Sequence, residues 1–311
     1  MRYDSVRSSS NNEKMNRSLG AFIGLAVGDA LGTTLEFEAR DAKPPVYDMV
    51  GGGPFDLLPG QWTDDTSMAL CLGGSLIACG GLDERDLMER FCRWFQAGEN
   101  SCTGGCFDIG VTTRDALERF RCTDDPVAGP TSASTAGNGS IMRLAPVALR
   151  YWNDPERLRD VSRRQSYTTH GADEAVDACD ALATVLASLI AGKPLRDVLS
   201  ASYGPFGSGV RTVMDGSYRG KTRSAIRSSG YVIHTLEAAL WCVSETTTFR
   251  DAVLLAVNLG DDADTVGAVT GQIAGAAYGV SAIPEEWFNR LAWNDRIVET
   301  AQQLYEASIK A

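Results

Sequence analysis

Two short clusters of carboxylates and hydroxyls carry the chemistry legible in this chain: "TDDT" at 63–66 and "DADT" at 262–265. Thr63, Asp64 and Asp65 in the first, and Asp262, Asp264 and Thr265 in the second, offer only oxygen donors, with no histidine or thiol among them. Such hard ligands suit Mg²⁺, Mn²⁺ or Ca²⁺ rather than zinc. Each cluster opens an apolar stretch of helical periodicity, so its carboxylates fall in a first turn, where the helix dipole favours negative charge. A helix cap accounts for "TDDT" taken alone. Two such helix starts in one domain can instead converge on a point. Aspartates packed together raise one another's pKa values, and a pair of divalent cations removes that conflict. An EF-hand fails on spacing, since counting from Asp262 puts Val266 at the fifth position and Ile273 at the twelfth. A DDxxD pattern fails too, because Met68 stands where its last aspartate belongs.

The elements that must position these clusters are mostly helices. Apolar residues recur at helical spacing around 19–32, 64–80, 84–97, 110–120, 140–151, 171–191, 231–243, 249–259, 264–279 and 286–308, and alternating strand patterns are scarce. The expectation is an all-α fold, one domain over 16–311, preceded by a polar, flexible N-terminal extension over 1–15. Gly20, Gly24, Gly28 and Gly32 fall on every fourth residue, and so do Gly267, Gly271, Gly275 and Gly279. Glycine inside a helix costs about 1 kcal/mol against alanine, so eight of them need a reason. A ridge without side chains lets a second helix approach closely, which predicts two central helices packed at short distance. The loop over 203–229 holds Arg211, Arg219, Lys221, Arg223 and Arg227. It reads as a solvated loop or as an anion-attracting rim.

Composition narrows the partners. With 311 residues, 44% of them hydrophobic, the chain can bury a sizeable core. Its 29 basic and 40 acidic side chains give a net charge of −11, the wrong sign for phosphate neutralisation, so no nucleic-acid partner is expected. The N-terminus lacks a secretory apolar stretch, and the longest apolar run, 181–192, suits a buried helix; no membrane partner is expected either. Eight cysteines without a CxxC pair, and only two histidines, argue for reduced thiols in a cytoplasmic protein.

Seven blocks in order resemble the ADP-ribosylglycohydrolases, a family that includes the dinitrogenase reductase-activating glycohydrolases. They are "GAFIGLAVGDALGTTLEF" (20–37), "GQWTDDTSMAL" (60–70), "CFDIGVTTRDAL" (106–117), "GNGSIMRLAPVAL" (137–149), "TTHGADEA" (168–175), "YVIHTLEAALW" (231–241) and "GDDADTVGAVTG" (260–271). The resemblance implies a single-domain orthogonal helical bundle that binds two Mg²⁺ or Mn²⁺ ions and removes ADP-ribose from a modified protein side chain, most often arginine. It implies metal ligands at Thr63, Asp64, Asp65, Asp262, Asp264 and Thr265, with Asp64 and Asp264 essential to catalysis. Asp261 stands where many relatives have a glycine, and is left out of the ligand set.

Further roles follow from the same resemblance. Glu36 resembles the glutamate lying over the metals and the ribose; by residue type alone it is a solvated carboxylate at a helix end. Asp108 resembles an aspartate at the scissile ribose and becomes the acid/base, although a helix N-cap would also explain it. Asp29 is expected to hold helix ends in place. Thr135, Asn138, Gly139 and Met142 become contacts to ADP-ribose, His170 a substrate-side residue rather than a core histidine, and Tyr231 a ring near the adenine. Two other readings stand beside hydrolysis. One is an immunity protein that neutralises an ADP-ribosyltransferase toxin, by hydrolysis or by occlusion of its active site through residues 1–17, with Arg2, Arg7 or Arg17 as pseudo-substrate. The other is a non-catalytic ADP-ribose-binding or crystallin-like protein, which the presence of all six ligands disfavours.

Overall fold

The computed structural model describes residues 12–310. Its centre is set by the glycine ridges. Helix α1 (Glu13–Gly32) lies antiparallel against α12 (Ala263–Tyr278). A Cβ placed on Gly20, Gly24 or Gly28 would stand 2.2, 2.2 and 2.0 Å from the backbone oxygens of Gly275, Gly271 and Gly267. The two backbones are in direct contact, so no residue larger than glycine fits along this seam. Residues 18 to 32 of α1 are all buried.

Between these two helices the chain runs through α2 (Asp64–Ala78), α3 (Glu84–Ala97), α4 (Val111–Thr123), α5 (Ala145–Tyr151), α6 (Pro155–Tyr167) and α7 (Asp173–Ile190). It continues through α8 (Leu195–Ser200), α9 (Ser208–Met214), α10 (Val232–Glu245) and α11 (Phe249–Val257). After α12 come α13 (Glu285–Arg290) and α14 (Asn294–Lys310). The described residues form these 14 α-helices, several short 3₁₀ turns and no strand, and 64% of the described residues are helical. Helices α11, α10 and α7 pack on α12, and α14 packs on α1, α5 and α2, so the central pair is enclosed. One apolar cluster runs through all of them.

The structure departs from or adds to the sequence reading at four points. Helix α1 begins at Glu13, capped by the Asn12 side chain, so residues 13–15 of the expected extension belong to the domain; residues 1–11 lie outside the described residues. The segment Glu13–Leu35 contains an 18-residue window apolar enough to cross a membrane (mean hydropathy 1.4), but 94% of that window is buried inside the bundle, where it forms the core helix. The single helix expected over 286–308 is two, because Leu291 is extended, Trp293 is left-handed (φ 56°) and the Ala292 N–H donates to Gly60 O at 2.8 Å. Helix α6 had no clear periodic signal: it buries Leu158, Val161 and Gln165 within a strongly charged sequence.

Candidate metal centre and active-site cavity

Three helix termini meet at one end of the central pair. Antiparallel packing brings the last turn of α1, with Asp29, to the first turn of α12, with Asp264; the start of α2 joins them. Thr63 occupies the N-cap position of α2, yet its side chain makes no capping bond. Asp29 performs that task from α1. Its Oδ1 accepts from Thr63 N–H (2.8 Å) and Thr63 Oγ1 (2.9 Å), and its Oδ2 from Thr66 N–H (3.0 Å) and Thr66 Oγ1 (2.6 Å). All four lone-pair directions of this fully buried carboxylate are used.

Thr63 Oγ1 also lies 3.1 Å from Asp264 Oδ2 and 3.3 Å from Asp65 Oδ2, and Thr265 Oγ1 lies 3.4 Å from the same Asp65 oxygen. The two Asp/Thr clusters therefore meet, and five of the six expected ligands gather there with Asp29. One oxygen from each of Asp29, Asp65 and Asp264 falls within 4.8 Å of the other two, and so do oxygens of Glu36, Asp262 and Asp264. Asp264 belongs to both groups. Asp64 stands apart from these triads but faces the adjoining cavity.

Electrostatics says what is missing from the cluster. Burial, then the charge of Asp264, pushes the Asp65 carboxyl well up; burial, then Asp108, does the same to Asp64. Burial also raises Asp264, Asp262 and Asp29, and burial followed by Asp264 raises Glu36. Among the described residues, no lysine or arginine lines the cavity. Asp65 Oδ1 is buried without a hydrogen-bond partner. An orphaned carboxylate oxygen among oxygen donors fits a hard divalent cation, which would satisfy that atom and stabilise its ionised neighbours.

The cavity beside this cluster has a volume of about 380 Å³. Glu36, Asp64, Asp262 and Asp264 line it with carboxylates, and Gly137, Asn138, Gly139 and His170 also line it. Glu36 is buried rather than solvated, and its Oε2 accepts from the Asp264 N–H at 3.2 Å, anchoring it at the start of α12. Asp108 also lines the cavity, and Gly110, not Asp108, is the N-cap of α4. Burial, then the charges of Asp262 and Asp29, pushes the Asp108 carboxyl up to about 7. Asn138 donates through Nδ2 to Asp262 Oδ2 (2.8 Å) and Thr235 Oγ1 (2.9 Å), fixing the Asp262 carboxylate.

A profile of the ADP-ribosylglycohydrolase family matches residues 10–311. The chain belongs to the ADP-ribosylglycohydrolase family. It is 50% identical over 294 residues to an ADP-ribosylarginine hydrolase Tri1 from Serratia proteamaculans (strain 568), covering 94% of this chain and 80% of that protein. To the ADP-ribosyl-[dinitrogen reductase] glycohydrolase of Rhodospirillum rubrum it is 36% identical, covering 89% of this chain and 90% of the relative. A solved structure described as an ADP-ribosylglycohydrolase-related protein complex superposes with a TM-score of 0.85 at 43% identity, covering 95% of this chain and 99% of the other.

Within this family fold the remaining expected residues divide. Asn138, Gly139, Met142 and His170 line the main cavity. Thr135 and Tyr231 line a neighbouring pocket that shares Thr112, Gly137 and Gly230 with it. The Thr135 hydroxyl donates to Ser132 O at 2.7 Å, and the Tyr231 hydroxyl donates to Glu174, so both side chains are already engaged. The backbone N–H groups of Gly137 and Asn138 are engaged as well, with Thr135 O and Gly230 O. Four of the five cations of the basic loop are already engaged: Arg211 and Arg219 bind backbone oxygens, Lys221 pairs with Glu237 and Arg223 with Asp41, while Arg227 is exposed. Arg17 is ion-paired with Glu13 and donates to Leu189 O, so it is not a free pseudo-substrate; Arg2 and Arg7 lie outside the described residues.

Sequence reading missed one side of the cavity mouth. Phe37 lines it, 68% exposed and held in a left-handed turn (φ 61°) by its N–H bond to Asp261 O at 2.7 Å. Asp261 is itself left-handed (φ 58°), a conformation that glycine adopts without a Cβ penalty. Phe55 links Phe37 to Phe107 in an aromatic lip, with ring centroids 6.2 and 5.1 Å apart. Phe37 directly follows Glu36 in sequence, but nothing in its neighbours signals exposure.

Proposed function

We propose that this protein hydrolyses the N-glycosidic bond between ADP-ribose and an arginine side chain of a modified protein, using two Mg²⁺ or Mn²⁺ ions. The convergence of both Asp/Thr clusters on one cavity, around an orphaned Asp65 oxygen, carries this reading. The arginine linkage rests on relatives named as ADP-ribosylarginine hydrolases, at 50% and 47% identity. Asp65, Asp264, Thr63 and Thr265 would hold one ion, and Glu36, Asp262 and Asp264 the other, with Asp64 completing the set from the cavity side. Bound ions supply attachment for the vicinal hydroxyls of the distal ribose.

The chain's own groups do the rest. As the bond from the anomeric carbon to the guanidine nitrogen breaks, positive charge develops on the sugar. The carboxylates of Asp64, Asp108 and Glu36 face that charge across the cavity. Asp108, whose carboxyl is pushed up first by burial, can hold a proton in the cavity. It delivers this proton to the departing nitrogen and then takes one from the water that bonds to the anomeric carbon. The products are ADP-ribose and an unmodified arginine. We place the enzyme in the cytoplasm, a reading that the eight unpaired cysteines support.

The test is release of ADP-ribose from an ADP-ribosylarginine protein in Mg²⁺ or Mn²⁺, with Asp64→Ala and Asp264→Ala alongside. Each variant is expected to lose activity by on the order of 10³-fold or more while keeping its helical spectrum. Undiminished release in both would overturn the metal-centre reading.

A further inference from the structure

Behind the wall of the cavity, Arg143 is fully buried and forms no ion pair among the described residues. Its guanidinium lies 4.6 Å over the Phe91 ring and bonds neutral acceptors: Gln165 Oε1 (3.0 Å), Gln165 O (2.9 Å), Thr168 Oγ1 (3.3 Å) and Thr169 Oγ1 (2.9 Å). Arginine only donates, so each threonine hydroxyl must accept from it and send its own proton elsewhere. Thr168 sends it to Gln165 O at 2.7 Å. Thr169 has His170 Nδ1 at 2.9 Å.

We propose that Arg143 and Thr169 are positioning residues that lock His170 as a neutral imidazole, Nδ1 accepting and Nε2–H pointing into the cavity as a fixed donor to an oxygen of bound ADP-ribose. The direction follows from the chain of donors: Arg143 to Thr169, Thr169 to Nδ1, and hence the ring proton on Nε2. The location follows from packing. A Cβ on Gly139 would stand 3.1 Å from His170 Nε2 and one on Gly137 3.3 Å from it, so the ring edge lies against the glycine loop of the cavity wall. Nε2 has no protein partner among the described residues, whereas the backbone of His170 is tied on both sides: its N–H donates to Ser166 O (2.7 Å) and its carbonyl accepts from Ser166 Oγ (2.8 Å). Burial, then the Arg143 charge, pushes the imidazole down to about 3, so the ring stays neutral at physiological pH. A neutral donor suits this cavity, which would accept an anionic diphosphate without any lysine or arginine in its lining among the described residues. The identity of the ligand rests on the hydrolase reading above; the tautomer does not.

Long-range ¹H–¹⁵N spectra of the ligand-free full chain read the tautomer directly. His170 is expected to show a protonated Nε2 and an unprotonated Nδ1 at both pH 6 and pH 8. Thr169→Ser is expected to keep that pattern, and Thr169→Val to give a tautomer mixture. ADP-ribose affinity should fall by about tenfold in Thr169→Val and return in Thr169→Ser, with KM following affinity and kcat within about twofold. A protonated Nδ1 or an imidazolium in the wild-type spectrum would overturn the proposal, and so would unchanged affinity in Thr169→Val. The wild-type spectrum decides the tautomer whether or not the variant folds. Wild-type protein with the expected tautomer but no affinity for ADP-ribose would overturn the ligand half, together with the hydrolase reading, and leave the relay standing.

Discussion

Asp29 accepts four hydrogen bonds from Thr63 and Thr66, and each arrives from a buried donor. Asparagine in its place offers one oxygen and turns an NH₂ toward two of those donors. With the metal centre saturated, so that charge relief within the cluster does not intervene, Asp29→Asn is expected to destabilise the fold by about 2–3 kcal/mol in urea unfolding. Unchanged stability would mean that Asp29 serves the cations rather than the α2 terminus. The same residue explains why Thr63 is available as a ligand. Its position marks it as an N-cap, and the sequence supports that reading; only the arrival of α1 supplies a substitute cap and frees its hydroxyl for the carboxylates. Residue type was enough to name the two clusters. Which oxygen lacks a partner depended on neighbours about 200 positions away.

The helix pair α1–α12 sets the distance between those clusters. Gly28→Ala and Gly271→Ala each drive a methyl group to 2.0 Å from a backbone oxygen of the opposite helix, which side-chain rotation cannot relieve. Each is expected to lower stability by about 1–3 kcal/mol, despite the roughly 1 kcal/mol gained in helix propensity. Because Gly28 precedes Asp29 and the seam ends at Asp264, hydrolysis should fall as well. Gly74→Ala in α2 is the control: its methyl would meet only the end of the Arg90 side chain, at 3.1 Å, so a neutral or stabilising effect is expected. Thermal denaturation of the three variants separates these cases. The four-residue glycine period predicted this seam correctly because the requirement is local and repeats. The break between α13 and α14 was not legible, since it is imposed by contact with Gly60 from a distant loop.

At the scale of the molecule, the carboxylate centre opposes the fold until a cation occupies it. Asp29, Glu36, Asp64, Asp65, Asp108, Asp262 and Asp264 all have raised pKa values, with Asp108 moving from 3.8 to about 7. Between these values the folded chain binds more protons than the unfolded one, so stability without divalent cation falls as pH rises through the window. His170 acts oppositely, since its value falls from 6.5 to about 3 and stability is lost as pH drops through that range. One histidine against seven carboxylates leaves the carboxylates dominant. Metal-free protein is therefore expected to melt lower at pH 8 than at pH 5, by on the order of 5 °C or more, and Mg²⁺ or Mn²⁺ should raise Tm more at pH 8. A cation effect equal at both pH values would contradict this assignment.

By itself the sequence determined the all-α class, the close approach of two glycine-ridged helices and the oxygen-only chemistry of two Asp/Thr clusters. Each of these depends on residue type and local period, which the chain carries within a single segment. The tertiary structure decided what needed several segments at once: the substitute cap from Asp29, the placement of Glu36 and Asp108 in the cavity, the aromatic lip at Phe37, and the hydrogen-bond order through Arg143, Thr169 and His170. A hydrogen-bond direction is fixed only when every donor and acceptor around it is in place, and helix packing brings those groups together.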